Sequence, residues 1–245
     1  MRMCPLRNDC DGTEFNLKLD AAGRQLEGRL FLPENAVGIV VFVHAPGRCW
    51  HSPRQLFLAN RLNAAGLGTL LFHLFSLEEE MSAAGLSSPC GQRLLCDRLV
   101  AATNWLRKCR ETSKLPVGYL GWGIGASVAI EAAGYLPDAV KAVVGCSARF
   151  DLTEPPKGEA PTLMIVGEKD AVGIDINRRF LKKSHAQEKM FEIVAGASTL
   201  FEEPGGLAYI AESALAWFTI HLDQTLVLPD EMMPKRQRQN LAAKL

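Results

Sequence analysis

The segment Val117-Gly118-Tyr119-Leu120-Gly121-Trp122-Gly123-Ile124-Gly125-Ala126-Ser127 runs from a short apolar stretch through closely spaced glycines into a helix-forming stretch. That layout suits a nucleophile elbow, G-x-S-x-G, in which a strand turns sharply into a helix and exposes the attacking side chain at the tip. Here the tip position is Gly123, which has nothing with which to attack a carbonyl. Either the elbow carries no nucleophile or the glycines serve another purpose. The same residues satisfy Gly121-x-Gly123-x-x-Ala126, the G-x-G-x-x-G/A pattern that lets a dinucleotide pyrophosphate approach a helix N-terminus. That fingerprint also wants an acidic residue closing the next strand, and here the next strand closes on Cys146-Ser147.

Other groups were weighed as sources of chemistry. Ser127 lies four residues past the tip, about one helical turn down, which suits a structural serine. Ser198 sits on a turn with no base beside it. Cys49 and His51 are two residues apart in a predicted loop, and a nearby imidazole lowers a thiol's pKa. His51 directly precedes a predicted helix cap, so packing is its default role. His44 ends a buried strand and suits a loop-positioning role, and His73 ends the next strand near the expected cleft mouth; both are candidates for the pocket. No His, Cys or carboxylate grouping has metal-ligand spacing, and no cofactor is called for.

These residues need a frame. Gln25 to Leu32 and Val37 to Val43 read as strands, the second a nearly unbroken apolar run suited to burial on both faces. Ser52-Pro53 opens a helix with a serine cap and a first-turn proline. Leu58, Leu62 and Ala65 share a face of it, and Gly66 ends it. Gly68 to His73 is a strand, and Leu95, Leu99, Ala102 and Leu106 form a helical stripe. After the glycine-dense turn a helix runs to about Tyr135. Ala139 to Cys146 and Pro161 to Val166 are strands. A helix around Ile174 to Lys183, a strand Lys189 to Val194 and a helix Leu207 to Leu222 follow. Strands alternating with helices imply a mainly parallel sheet covered on both faces, an α/β fold. Residues 1–222 form a single domain on this reading. Residues 223–245, with Pro229, Pro234 and Lys235-Arg236-Gln237-Arg238, read as an appendage or docking tail.

Bulk properties narrow the class. With 27 basic and 27 acidic residues the formal net charge is zero, which gives no electrostatic case for nucleic acid or an anionic membrane. No run approaches the ~18 apolar residues of a membrane helix. The first residues lack a signal peptide's apolar core, and seven irregularly spaced cysteines do not make a disulfide framework. A cytoplasmic protein is expected.

The order of elements, with the texts HAPGRCWHSPR, LNAAGLGTLLF, LVAATNWL, GWGIGAS, PTLMIVGEKD and GASTLFEEPG, resembles the dienelactone-hydrolase-like branch of the α/β-hydrolases over roughly Leu26 to Leu222. It resembles small members found beside or fused to phosphoribosyltransferase domains. The resemblance implies a serine that attacks an ester carbonyl, a histidine that takes its proton and an aspartate that orients the histidine, in chain order Ser, Asp, His. The serine position falls on Gly123 and the acid on Asp170, after Gly167-Glu168-Lys169. The histidine position falls on Thr199, within Gly196-Ala197-Ser198-Thr199-Leu200-Phe201. Threonine is no base near neutral pH. The implied oxyanion hole draws one N–H from Ile124 and another from the loop His44-Ala45-Pro46-Gly47, where Pro46 has no N–H to offer.

Nucleophile and base are missing together. The reading is therefore a catalytically degenerate α/β-hydrolase, a pseudoenzyme that binds a small molecule or serves a protein partner as scaffold or regulator. The alternatives are a weak or rewired ester or lactone hydrolase, and a nucleotide binder using the Gly121–Ala126 turn.

Overall fold

The computed structural model describes residues 4–7, 11–21, 23–44, 52–75, 79, 89–150, 158–223 and 225. Gly38–Val43 (β4) shows how its frame arises. Each of its six residues is buried, and they alternate between two cores. Ile39, Val41 and Val43 enter one, Val40 and Phe42 the other. A strand apolar at every position stays out of water only if helices cover both faces. Its neighbours behave alike: Leu67–Phe72 (β5) is buried throughout, as is Thr162–Gly167 (β8).

Nine strands are described, in the order β1-β2-β3-β5-β4-β6-β7-β8-β9. β5, β4, Val117–Trp122 (β6), Val140–Cys146 (β7), β8 and Lys189–Val194 (β9) pair in parallel. Cys4–Arg7 (β1), Gly12–Ala21 (β2) and Arg24–Pro33 (β3) add an antiparallel edge. Among the described residues five helices flank the sheet: Pro53–Ala64 (α1), Pro89–Lys108 (α2), Ile124–Tyr135 (α3), Ala171–Lys183 (α4) and Gly206–Leu222 (α5). α2, α3 and α4 cover one face, where Leu95, Leu99, Ala102 and Leu106 are fully buried. α1 and α5 cover the other, through Leu58, Leu62, Ile210, Ala214 and Phe218. At about 1.5–3 kcal/mol for each large apolar side chain buried, these two layers are the main source of stability.

The α/β architecture and the predicted elements agree with the sequence reading to within a residue or three at their ends. Ser52 caps α1, its hydroxyl accepting from Gln55 N at 3.4 Å, and Gly66 closes it at φ +84°. The antiparallel edge of β1 and β2 was not anticipated. β2 alternates buried Leu17, Leu19 and Ala21 with exposed Asn16, Lys18 and Asp20, the period-two signature of a strand with one wet face. β1 is too short to show a period. Among the described residues no helix is long and apolar enough to cross a membrane. Residues 226–245, most of the expected tail, lie outside the described set, and so do Ala45, Pro46, Gly47, Cys49 and His51.

Candidate functional site

The carboxyl ends of the parallel strands place the elbow. β6 ends at Trp122, Gly123 turns, and α3 begins at Ile124. Gly123 holds φ 56°, ψ −119°, a conformation that costs an L-residue about 1–3 kcal/mol. A Cβ built on it would meet no atom within 4 Å beyond its chain neighbours. The turn thus points its tip into open space. No side chain caps the start of α3, where Ile124 supplies the first helical N–H.

The flanking glycines have a different job. A Cβ on Gly121 would lie 2.6 Å from Ala126 Cα, and one on Gly125 would run into the carbonyl of Val43. Both are required by the close approach of α3 to β6 and β4. The pattern Gly121-x-Gly123-x-x-Ala126 does lie between a strand and a helix, yet two of its small residues pack against each other. β7, the next strand, ends at Cys146 without an acid.

Asp170 follows β8, two places from β6 in the sheet. It caps α4, its Oδ1 accepting from Gly173 N at 2.9 Å. Its Oδ2 accepts from the Arg149 guanidinium, also at 2.9 Å. Burial pushes the Asp170 carboxyl up. The hydrogen bonds from Arg149 and Gly173 and the Arg149 charge, with a small contribution from the nearby Thr199 hydroxyl, outweigh that and hold it below the usual carboxylate value. Thr199 lies near enough to Asp170 to act on its carboxyl. The group it presents is a hydroxyl with no appreciable basicity near neutral pH.

Arg149 was not anticipated. A lone arginine in Ser147-Ala148-Arg149-Phe150 carries no sequence signal; only the fold brings it to the acid. Its backbone N–H donates to Gly123 O at 3.2 Å, and its carbonyl accepts from the Ser127 hydroxyl. Phe150, stacked on Phe180 with centroids 4.1 Å apart, pins the next residue. Arg149 so ties the elbow, α3 and Asp170 together. Ser127 is occupied with that task and sits buried in the helix.

The loop bearing Thr199 is secured from several sides. Glu203 accepts from Ser198 N at 3.0 Å and from the Ser198 hydroxyl at 3.2 Å, and Lys169 pairs with it at 3.6 Å. Glu168 accepts from Gly196 N at 2.7 Å, Arg54 donates to Leu200 O, and the buried Phe201 anchors the end. Arg54 also lies over the Trp122 ring, 5.3 Å from its centroid. His44 follows β4 and is buried; His73 follows β5, its N–H on Glu27 O at 3.0 Å. The Pro46 donor position and the Cys49–His51 pair fall outside the described residues. Among the described residues no cluster of His, Cys, Asp and Glu suits a metal ion.

Comparison with known proteins follows this geometry. Residues 26–197 match the model of the dienelactone hydrolase family. The structure of a dienelactone hydrolase from Anabaena variabilis is 38% identical, with a TM-score of 0.80 over 86% of this chain and 99% of that one. Est1E from Butyrivibrio proteoclasticus shares the fold at 14% identity, with a TM-score of 0.65 over 83% of this chain and 97% of that one. A Mycobacterium tuberculosis protein with the provisional name phosphoribosyl transferase is 41% identical over 197 residues, 80% of this chain. The chain spans only 44% of the length of that relative. With the family model matched over most of the chain and the α/β-hydrolase topology continuous through the elbow, the chain belongs to the dienelactone hydrolase family.

Proposed function

We propose that this chain is a non-hydrolysing member of its family, a pseudoenzyme whose cleft binds a small molecule or serves a protein partner. The observation that carries the reading is Gly123 at φ 56°, ψ −119°, which keeps elbow geometry while presenting no side chain. Thr199 beside Asp170 adds to it, because no imidazole of the described residues is among the groups that act on this carboxyl. A ligand entering here would meet the Ile124 N–H, the Arg149 guanidinium and the open space above Gly123.

The experiment is exposure of the pure protein to a fluorophosphonate probe and short-chain aryl esters. We expect no labelling, and turnover equal to a heat-killed control. Stoichiometric labelling at one site with clear turnover would establish the rewired hydrolase instead. The regulatory side of the reading draws on the curated relative, in which a segment like this one is under half of a chain named for phosphoribosyl transfer. A protein of that class is the first partner to test, by co-purification. A cytoplasmic location belongs to the same proposal: Cys96, Cys109 and Cys146 are free among the described residues, as suits a reducing compartment.

A further inference from the structure

The last helix meets the far edge strand through a seam with polar ends, set against the apolar core at Trp217. Tyr209, Ser213, Trp217 and His221 recur every four residues along α5 and form one stripe. Glu192 on β9 lies against Tyr209 at one end of it. Glu188, directly before β9, lies against His221 at the other. Glu188 Oε2 and His221 Nε2 are 3.8 Å apart, the imidazole only 5% exposed. Both atoms are buried, and neither finds a hydrogen-bond partner among the described residues. Trp217, itself 3% exposed, stands edge-on to the imidazole with centroids 4.4 Å apart and closes the seam.

Two buried polar atoms at that separation are a little too far apart to bond, since an N···O hydrogen bond wants roughly 2.7–3.2 Å. With the imidazole proton on Nδ1, the carboxylate oxygen and Nε2 face each other as two acceptors. One proton between them turns repulsion into a bond and satisfies both. We infer that Glu188 and His221 form a proton-operated latch that seats the last turn of α5 on the head of β9.

Burial favours the neutral, singly protonated pair. It pushes the Glu188 carboxyl up, although that side chain is 34% exposed, and His221 down to about 4, so both groups lean toward their uncharged forms. Several other ionisable groups on the packed elements have partners of their own. Lys189 donates to Ser184 O at 2.6 Å and Glu212 pairs with Arg61, while Glu192 lies against Tyr209 with its Oε2 buried and unpartnered among the described residues. Glu159 accepts from Gln187 at 3.4 Å, and Asp223 accepts from Thr225 at 2.8 Å. Burial alone accounts for the shifts of Glu188 and His221. The inference is independent of what the cleft binds. It does concern the helix that begins directly after the Thr199 loop.

The test is hydrogen–deuterium exchange of the full chain at about pH 5 and about pH 8, corrected for intrinsic rates, on wild type, Glu188→Gln and Glu188→Ala. The amide of Glu188→Gln carries a permanent donor in place of the proton. Wild type should protect the amides of residues 220–223 about tenfold better at the acid pH. Glu188→Gln should be protected at both pH values and Glu188→Ala at neither. Equal wild-type protection at both, or an unchanged pH response in Glu188→Gln, would overturn the latch. Imidazole ¹⁵N shifts give a second reading. A His221 that titrates alike in wild type and Glu188→Ala would also overturn it.

Discussion

Rebuilding the missing chemistry is the sharpest trial of the site assignment. The double change Gly123→Ser and Thr199→His puts a nucleophile at the elbow tip and an imidazole beside Asp170. The structure sets the cost. A side chain at 123 meets no steric obstacle within 4 Å, so the serine pays only for its backbone conformation, about 1–3 kcal/mol. The Asp170 carboxylate keeps its bonds from Arg149 and Gly173, so exchange at Thr199 leaves the acid anchored. The cost stays below the roughly 5–15 kcal/mol that holds a domain folded. A cooperative thermal melt should confirm that the double variant folds. Fluorophosphonate labelling and p-nitrophenyl acetate turnover then measure the chemistry. A positioned general base contributes about 10²–10⁴, so the double variant should exceed either single variant by about that factor. The singles should stay near background, because nucleophile and base act as a unit. A folded double variant that neither labels nor turns over would refute the placement of these positions, since space, backbone and acid are all accounted for.

Two further outcomes follow from the same geometry. Asp170→Asn should cost about 1–2 kcal/mol in urea unfolding, the scale of weakening one buried charge-assisted bond. The Asp170 carboxyl is held low in the folded state, so its contribution is present above the unfolded carboxylate pKa and lost as pH falls through the lower folded value. Acid titration of stability below about pH 4 should therefore be shallower in the variant than in wild type. The glycines can be ranked as well. Gly125→Ala, with its Cβ driven into the Val43 carbonyl, should lose about 3 kcal/mol or more, whereas Gly123→Ala should lose only the backbone term of about 1–3 kcal/mol. Chemical denaturation of the pair checks the order, and a reversed order would mean that the elbow is not built as described.

Much of the frame was legible because it is written in local patterns. The unbroken apolar run of β4, the Ser52-Pro53 cap and the Leu95–Leu106 stripe each announce one element by one physical rule. The elbow was legible for the same reason, since strand, glycine turn and helix are contiguous. β2 is written more quietly, because from Asn16 on every second residue is polar and faces water. Arg149 was illegible in principle: its role depends on Asp170, Gly123 and Ser127 arriving from three other elements. The Glu188–His221 contact joins a loop and a helix in the same way. Thr199 was placed by resemblance alone, and only the fold brought its hydroxyl near the acid.

Arg149 has a consequence for protein engineering. It grips the elbow through its backbone N–H, α3 through its carbonyl and Asp170 through its guanidinium. The elbow, α3 and Asp170 are thus registered to one another by a single residue. Position 199, and position 123 at a backbone cost of about 1–3 kcal/mol, are open to exchange without dismantling that frame. A library varied at those two sites would be a rational starting point for receptors that capture esters or lactones and release them intact, with fluorescence of the nearby Trp122 as a built-in reporter of occupancy.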